Sequence, residues 1–236
     1  MSQSSELVEA LDRATKRAID MQAPLRERLV VIADEVRKLS TVFAEAVDAF
    51  VGRLTAAEAG GNAPNIGDAL PDFLLPDQQG RLVSRDSLLK NGPLVVAFLR
   101  GHWCPYCQTT AVALGEIAEG AAKRGAQIVA ITPESRKYSA RLAKDSQERF
   151  PILTDVDNGY ALALNLAIWV DDDMARLIQG AGWDVPSYQT AHSWVLPIPA
   201  TFVVGRDGRV TARYVNADYR TRMEVEDILA ALDEAK

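Results

Sequence analysis

The sequence predicts an α/β domain, a mixed central sheet flanked by helices, behind an N-terminal helical extension. Three observations predict it. Residues 93–99 and 126–131 are short, continuous apolar runs rich in strand formers, as buried strands are. Between them, residues 105–122 hold good helix formers without an interior proline. A strand, a helix and a strand make a right-handed crossover with two parallel strands. Asp207-Gly208 then separates two strand-like runs, 201–204 and 210–215, which is a hairpin signal. Parallel and antiparallel pairs together give the mixed sheet.

The elements follow in order. Leu7 and Leu11 suggest a short first helix. Leu25, Leu29, Ile32, Val36, Leu39, Phe43, Val47, Phe50 and Leu54 recur at steps of three and four, the apolar face of one long helix. Pro24 suits its start. The two helices would form a hairpin over residues 1–60. Gly60-Gly61-Asn62-Ala63-Pro64 breaks the pattern as a linker, and the main domain runs over 65–236. The long stripe needs a cover, either the main domain or a second copy of the chain, and a homodimer is the expectation. Further helices are predicted over 135–148 and 222–234, with a strand near Ile152-Leu153. Residues 161–195 carry an apolar run, Asp171-Asp172-Asp173 and tryptophans, and read as an insertion before the hairpin. No repeat or low-complexity segment interrupts the chain.

The 236 residues are 48% hydrophobic and 25% charged, enough apolar material to bury a core without metal or disulfide. A net charge of −6 argues against a nucleic-acid partner, which needs a basic face. No apolar stretch is long enough to span a bilayer. The start, Met-Ser-Gln-Ser-Ser-Glu, lacks a basic segment leading into an apolar run, so a cytoplasmic protein is expected.

The chain has two cysteines, Cys104 and Cys107. In a reducing compartment such spacing marks a catalytic or metal-binding pair. The motif Arg100-Gly101-His102-Trp103-Cys104-Pro105-Tyr106-Cys107 joins the strand at 94–99 to the next helix. Pro105 suits the first helical position. Cys104 then takes the N-cap and Cys107 lies one turn inside, where free N–H groups and the helix dipole favour an anion. A thiol of pKa roughly 8.5 can fall to about 3.5–7.5 there. The spacing lets the second sulfur close a disulfide and release whatever the first had bound. Pro199 precedes a predicted strand. Either it is a cis proline presenting a backbone edge to substrate beside the sulfurs, or an ordinary trans proline at a strand start.

Gly67-Asp68, residues 71–77, Gly80, Cys104-Pro105-Tyr106-Cys107, residues 125–131, residues 150–155 and residues 199–208 together resemble, in order, the alkyl hydroperoxide reductase / thiol-specific antioxidant (AhpC/TSA) family, the peroxiredoxins, in a branch with a thioredoxin-type cysteine pair. The resemblance covers 65–236 and leaves the N-terminal helices outside. It implies a thioredoxin-like fold and a thiol-dependent peroxidase, and it tips Pro199 toward cis. Two departures stand out. Typical members carry a proline, then a threonine or serine, then the peroxidatic cysteine three residues later. With Cys107 in the peroxidatic place, Cys104 holds the threonine place and Arg100 the proline place. The hydroxyl that orients peroxide is missing, and the family's usual arginine near the later strand is replaced. Peroxiredoxin logic makes Cys107 the attacking sulfur; thioredoxin logic makes it Cys104, and position at the helix start favours Cys104 as the more exposed thiolate. Both are catalytic candidates and the order stays open.

Around them, Arg100 is either a thiolate- or peroxide-binding group or a solvated charge at a strand end. His102 is either a proton relay or an exposed loop histidine, the second being favoured. Trp103 reads as cover for the site, and Tyr106 as a peptide contact or a surface aromatic. Glu134 either joins the cysteines at the sheet edge or serves as an early helix acid. The polar run 218–224 reads as a structural salt-bridge cluster.

Three functions compete. In the first, a peroxidase reduces hydrogen peroxide or organic hydroperoxides through a Cys104–Cys107 dithiol/disulfide, with thioredoxin or glutaredoxin as reductant and no bound cofactor or metal. In the second, the same pair serves a protein disulfide oxidoreductase. In the third, two chains share a metal or iron–sulfur site without catalysis.

Overall fold

A computed structural model describes residues 3–235, with side chains from Val8 onward; the Leu7 side chain and Lys236 lie outside the described residues. In chain order the elements are α1 (Gln3–Asp20), α2 (Leu25–Leu39), α3 (Thr41–Ala56), β1 (Leu74–Pro76), β2 (Leu82–Ser84), α4 (Arg85–Leu89), β3 (Leu94–Phe98), α5 (Pro105–Lys123), β4 (Gln127–Thr132), α6 (Arg136–Asp145), β5 (Ile152–Thr154), α7 (Gly159–Ala163), β6 (Ala167–Trp169), α8 (Asp172–Gly180), α9 (Val185–Tyr188), β7 (Val195–Pro197), β8 (Ala200–Val204), β9 (Val210–Val215) and α10 (Val225–Glu234).

The central sheet has the order β5-β4-β3-β8-β9. β3, β4 and β5 run parallel, while β8 and β9 are antiparallel to their neighbours. β3 lies in the middle and is buried along its length, which is why it reads as a continuous apolar run. Its alternate side chains feed two cores. Val95 and Ala97 face α5 and the N-terminal helices. Leu94, Val96 and Phe98 face Leu70, Phe73 and Tyr160.

The long predicted helix is two helices. Ser40 ends α2 and caps α3, its hydroxyl accepting from the Phe43 N–H at 3.1 Å. The apolar spacing continues across the break, so periodicity alone does not reveal it, although a serine cap is a recognised helix start. Leu25, Leu29, Ile32, Phe43, Val47 and Phe50 are buried within the one chain. α1 and α2 pack on α5, and α3 packs on α8. Most of the stripe that led to the expectation of a dimer is therefore covered internally, while Leu39 stays exposed. Arg28, 3% exposed, fastens the assembly: it donates to the Ala18 and Ile19 carbonyls and pairs with Glu116 of α5 at 2.9 Å. Glu224 accepts from the Leu25 and Arg26 N–H groups at 2.9 Å, capping α2 from the far end of the chain.

Residues 161–195 form a folded subassembly. β6 pairs with β7, and α8 and α9 lie between them in sequence. β7 then leads through Ile198 and Pro199 into β8. Among the described residues every peptide bond is trans, which corrects the expectation of a cis Pro199. The chain passes in extended form from the β6–β7 pair, with the Ile198 N–H held by the Leu166 carbonyl at 2.7 Å, directly into the main sheet. Pro199 is thus a proline at a strand start, where its missing N–H costs no ladder bond. No helix of the described residues is long and apolar enough to cross a membrane.

Candidate active site

The site lies where β3 hands the chain to α5. Pro105 is the first helical residue and Cys104 its N-cap, with φ −91° and ψ 113°. Cys107 therefore sits in the first turn. Both cysteines are free thiols and both are buried, at 2% and 0% exposure. Cys104 is thus not an exposed thiolate, because α2, α3 and the aromatic side chains around it close over the helix start.

The two thiols are neighbours, and they are not equivalent. Donors converge on Cys107. Its Sγ accepts from the Arg100 backbone N–H at 3.3 Å and from Arg222 Nη2 at 3.7 Å. Burial works against its ionisation most strongly, but the Cys104 thiol, the Arg222 charge, the Arg100 N–H and the Arg100 charge together hold the Cys107 thiol below its ordinary value. Burial, followed by the Cys107 hydrogen bond and charge, pushes Cys104 well above it. The donors around the pair thus favour Cys107, whereas the helix start alone favours Cys104. The cation near Cys107 comes from Arg222, which the sequence placed in a salt-bridge cluster; part of that cluster is one, since Arg220 pairs with Asp218 and Asp48.

Arg100 is no solvated charge. It is 4% exposed, with its guanidinium carbon 4.1 Å from the Tyr219 ring centre and 5.1 Å from that of Trp103. Tyr106 is buried as well and packs edge-on to Tyr219 at 5.6 Å, so it is not a surface aromatic. Trp103 is buried beside Cys104 and lies tilted on Trp183 at 6.2 Å. Pro199 is buried beside the end of β3, next to Ala200, which pairs with Phe98.

His102 belongs to a neighbouring cluster. Its backbone N–H donates to Glu134 at 2.8 Å, and its Nδ1 lies 2.6 Å from the same carboxylate. Its ring stacks on Tyr138 and meets Tyr188 edge-on, both at 5.0 Å. Glu134 is fully buried, and burial raises its carboxyl although His102 opposes the shift. Glu134 therefore stands at the sheet edge that also carries the cysteine turn, close enough for Cys107 to add to the rise of its carboxyl, and it is not a helix acid: it anchors the turn that carries Arg100 to Cys104. Gly101, at φ +143°, lets the turn pass, since a Cβ there would stand 2.5 Å from the Glu134 carboxyl carbon. Tyr219, Arg222, Trp183, Tyr138 and Tyr188 are site groups that sequence reasoning missed. They arrive from α6, the 161–195 subassembly and the segment before α10, and no local spacing links them to the cysteines. Among the described residues no group of three or more His, Cys, Asp or Glu side chains is placed to hold a metal.

A cavity of about 270 Å³ lies against Cys104, Arg100, Trp103 and Tyr219, with α2 and α3 as its other walls. Cys107 lies behind Cys104, out of the cavity lining.

Comparison with known proteins agrees with the order of elements. The AhpC/TSA family profile matches residues 66–213. Over 170 residues the chain is 28% identical to a chloroplastic peroxiredoxin Q of Sedum lineare, covering 72% of this chain and 78% of the relative. A chloroplastic peroxiredoxin Q of Populus jackii is 34% identical over 94 residues, 40% of this chain and 44% of the relative. Among solved structures, the peroxidoxin BcpB of Mycobacterium tuberculosis superposes with a TM-score of 0.57 at 22% identity, covering 73% of this chain and 99% of that one. Peroxiredoxin Q of Xanthomonas campestris gives 0.53 at 19%, over 74% and 99%. These likenesses bear on the fold. With the profile match, a paired thiol at a helix start and a sheet of this order, the chain belongs to the AhpC/TSA family, an oxidoreductase with a thioredoxin-like fold.

Proposed function

We propose that this protein is a thiol peroxidase in which Cys107 attacks the peroxide and Cys104 resolves it. The observation that carries the reading is the convergence of the Arg100 N–H and the Arg222 guanidinium on Cys107 Sγ. A thiolate is the nucleophile, and these donors stabilise it. In the first step Cys107–S⁻ takes the terminal peroxide oxygen. The O–O bond breaks, the peroxide gains two electrons, and the sulfur becomes a sulfenic acid. The neighbouring Cys104 thiol gives its proton to the departing alkoxide or hydroxide. Cys104–S⁻ then attacks the Cys107 sulfur, closing the disulfide and expelling hydroxide, which takes a proton to become water. A dithiol reductant of the thioredoxin or glutaredoxin class restores the pair by exchange. In this reading residues 65–236 form the catalytic domain and residues 1–60 a helical extension that closes the site.

One observation favours a second reading. Cys104, not Cys107, lines the cavity, as a protein disulfide oxidoreductase attacking through Cys104 would require. Stopped-flow tryptophan fluorescence of the reduced protein mixed with hydrogen peroxide separates the two, with Trp103 as reporter. Fast oxidation retained by Cys104→Ser and abolished in Cys107→Ser is the expected result. Fast oxidation retained by Cys107→Ser alone reverses the roles. No fast phase in any protein, with rapid reduction of a model disulfide, transfers the assignment to disulfide exchange.

A further inference from the structure

One helix of the cover over the cysteine pair stands apart from the central sheet. α3 packs on α2 and α8, both outside that sheet. It starts at the break at Ser40, with φ −152° and ψ 98°, and ends in a run of turns over residues 57–62. Its Phe43, Ala44 and Val47 wall the cavity of about 270 Å³ that reaches Cys104. Ion pairs fasten it from outside. Asp48 pairs with Arg37 at 2.7 Å and with Arg220 at 2.6 Å, and Arg53 pairs with Asp171, the cap of α8. Arg220 belongs to a short segment that also reaches the sulfurs. Tyr219 packs on Arg100 and Tyr106, and Arg222 donates to Cys107 Sγ at 3.7 Å. One stretch of chain thus touches the reacting sulfur at one point and the cover at another.

Resting on the disulfide cycle proposed above, we infer that α3 is a lid that selects the reductant: a small dithiol reaches Cys104 through the cavity, and a protein dithiol reaches it only when the Asp48–Arg220 latch lets α3 move aside. In the reductive step the attacking thiolate bonds to Cys104 Sγ, the sulfur on the cavity lining. The Cys104–Cys107 bond breaks, and Cys107 leaves as the thiolate that Arg222 and the Arg100 N–H hold; a thiol of lower pKa leaves faster. The reductant's second thiol then displaces Cys104. Of its two protons, one passes to Cys104 and one to solvent, and the reductant departs as its own disulfide, having given up two electrons. Cys104 is 2% exposed, so a folded reductant cannot bring its sulfur into line until α3 moves. Opening exposes Phe43 and Val47 to water, so the open form is a minor state, and the rate with a protein dithiol scales with its population. Oxidation favours that form. The disulfide takes from Arg222 the thiolate it faces, which loosens the segment that carries Arg220. α3 lies outside residues 66–213 that the family profile matches, so the lid belongs to this chain's extension and not to the shared fold.

The test uses the full chain, oxidised to the disulfide with diamide and then mixed with reduced thioredoxin or with dithiothreitol. Second-order rate constants are read from tryptophan fluorescence. Exposed ion pairs are individually weak, so Asp48→Asn, which breaks two of them, should raise the thioredoxin constant about 3- to 10-fold and leave the dithiothreitol constant unchanged. Arg53→Gln loosens α3 at its other fastening, with the same expected sign, should Asp48→Asn fail to fold. In hydrogen–deuterium exchange of the wild type, the amides of α3 should exchange at least ~3-fold faster in the disulfide form than in the dithiol, while those of β3 keep their protection. Constants for the two reductants that rise together, or a thioredoxin constant that neither variant raises, overturn the lid. Equal exchange of α3 in the two states overturns its release by oxidation. Diamide forms the disulfide without peroxidase activity, so the outcome for the lid is separate from that for the peroxidase, which fails if hydrogen peroxide leaves the reduced wild type unoxidised.

Discussion

Replacing Arg222 by methionine should raise the pH at which Cys107 becomes a thiolate. The guanidinium sits 3.7 Å from a sulfur with no solvent exposure. At an effective dielectric of about 20, a unit charge at that distance is worth about 4 kcal/mol. The Arg222 charge is spread over a plane that also binds the Tyr219 and Thr221 carbonyls, so the effective value is smaller. An opposite charge this close shifts a pKa by about 1–3 units, or about 1.4–4 kcal/mol. The sign follows from the direction of the native shift. Cys107 lies below its ordinary value, so its alkylation by iodoacetamide in a Cys104→Ser background should stay level between about pH 7 and the ordinary thiol value of about 8.5 and fall only at lower pH. In Arg222→Met the midpoint should move up by about 1–3 units, while Arg222→Lys, which keeps the charge, should move it less. The midpoint is the readout, because a thiolate of higher pKa is intrinsically more nucleophilic and regains part of the rate lost at neutral pH. Superimposable profiles for wild type and Arg222→Met would refute the assignment, as would a wild-type midpoint at or above the ordinary thiol value.

Four further outcomes are expected. Gly101→Ala forces a Cβ into the Glu134 carboxylate at a positive φ and should cost about 1–3 kcal/mol in urea denaturation, with slower Cys107 alkylation as the turn shifts. Glu134→Ala strips His102 of its buried partner and should cost about 3–5 kcal/mol; Glu134→Gln keeps an acceptor for the His102 N–H and should cost less, and equal losses would count against the hydrogen-bond account. Asp145, raised to about 6 by burial with His102 opposing, ends α6, where a negative charge also opposes the helix dipole. A raised carboxyl contributes stability that is present below its unfolded value and lost as pH rises through the folded one, so Asp145→Asn should raise Tm at pH 7–8 and leave it unchanged near pH 4. Leu29→Ala removes a fully buried side chain from α2 and should cost about 2–5 kcal/mol, read by chemical denaturation; a loss under 1 kcal/mol would mean that the extension is not part of the folded core.

The parts of the fold that could be read in the sequence are those where burial and local propensity agree. β3, α5 and β4 are each continuous in pattern, and the cysteine pair sits at the junction between the first two, so the fold class and the place of the site follow from them. The β8–β9 hairpin is announced by Asp207-Gly208. The short pairs are different. β1 and β2, and likewise β6 and β7, are three residues each, and β6 finds its partner only when Ala167 meets Pro197. No window of local sequence contains that pairing. The division of thiolate character between the cysteines was also hidden, because the helix start is common to both. Arg222 contributes to it beside the Cys104 thiol, and its position depends on how the chain returns from β9 to α10. Ser40 is the opposite case: a local signal, a serine three residues before Phe43, was present but masked by the apolar stripe that runs through it.

Two buried guanidiniums beside one sulfur pair need a physical reason. Arg100 and Arg222 are 4% and 7% exposed, and neither is paired with a carboxylate among the described residues. Burying such charges is expensive unless they are neutralised or replaced into an equivalent environment. Arg100 has the faces of Tyr219 and Trp103 in place of water, a cation–π setting that returns part of that cost. Arg222 has two carbonyls and the Cys107 sulfur. In the proposed mechanism the counter-charge that completes this arrangement is the Cys107 thiolate, and it exists only in the reduced enzyme. A sulfenic acid or a Cys104–Cys107 disulfide leaves both cations without it. The same contacts that make the thiolate available for attack thus disfavour the oxidised pair relative to the dithiol. That is the bias a peroxidase needs, because the reductant must restore the pair after every turnover.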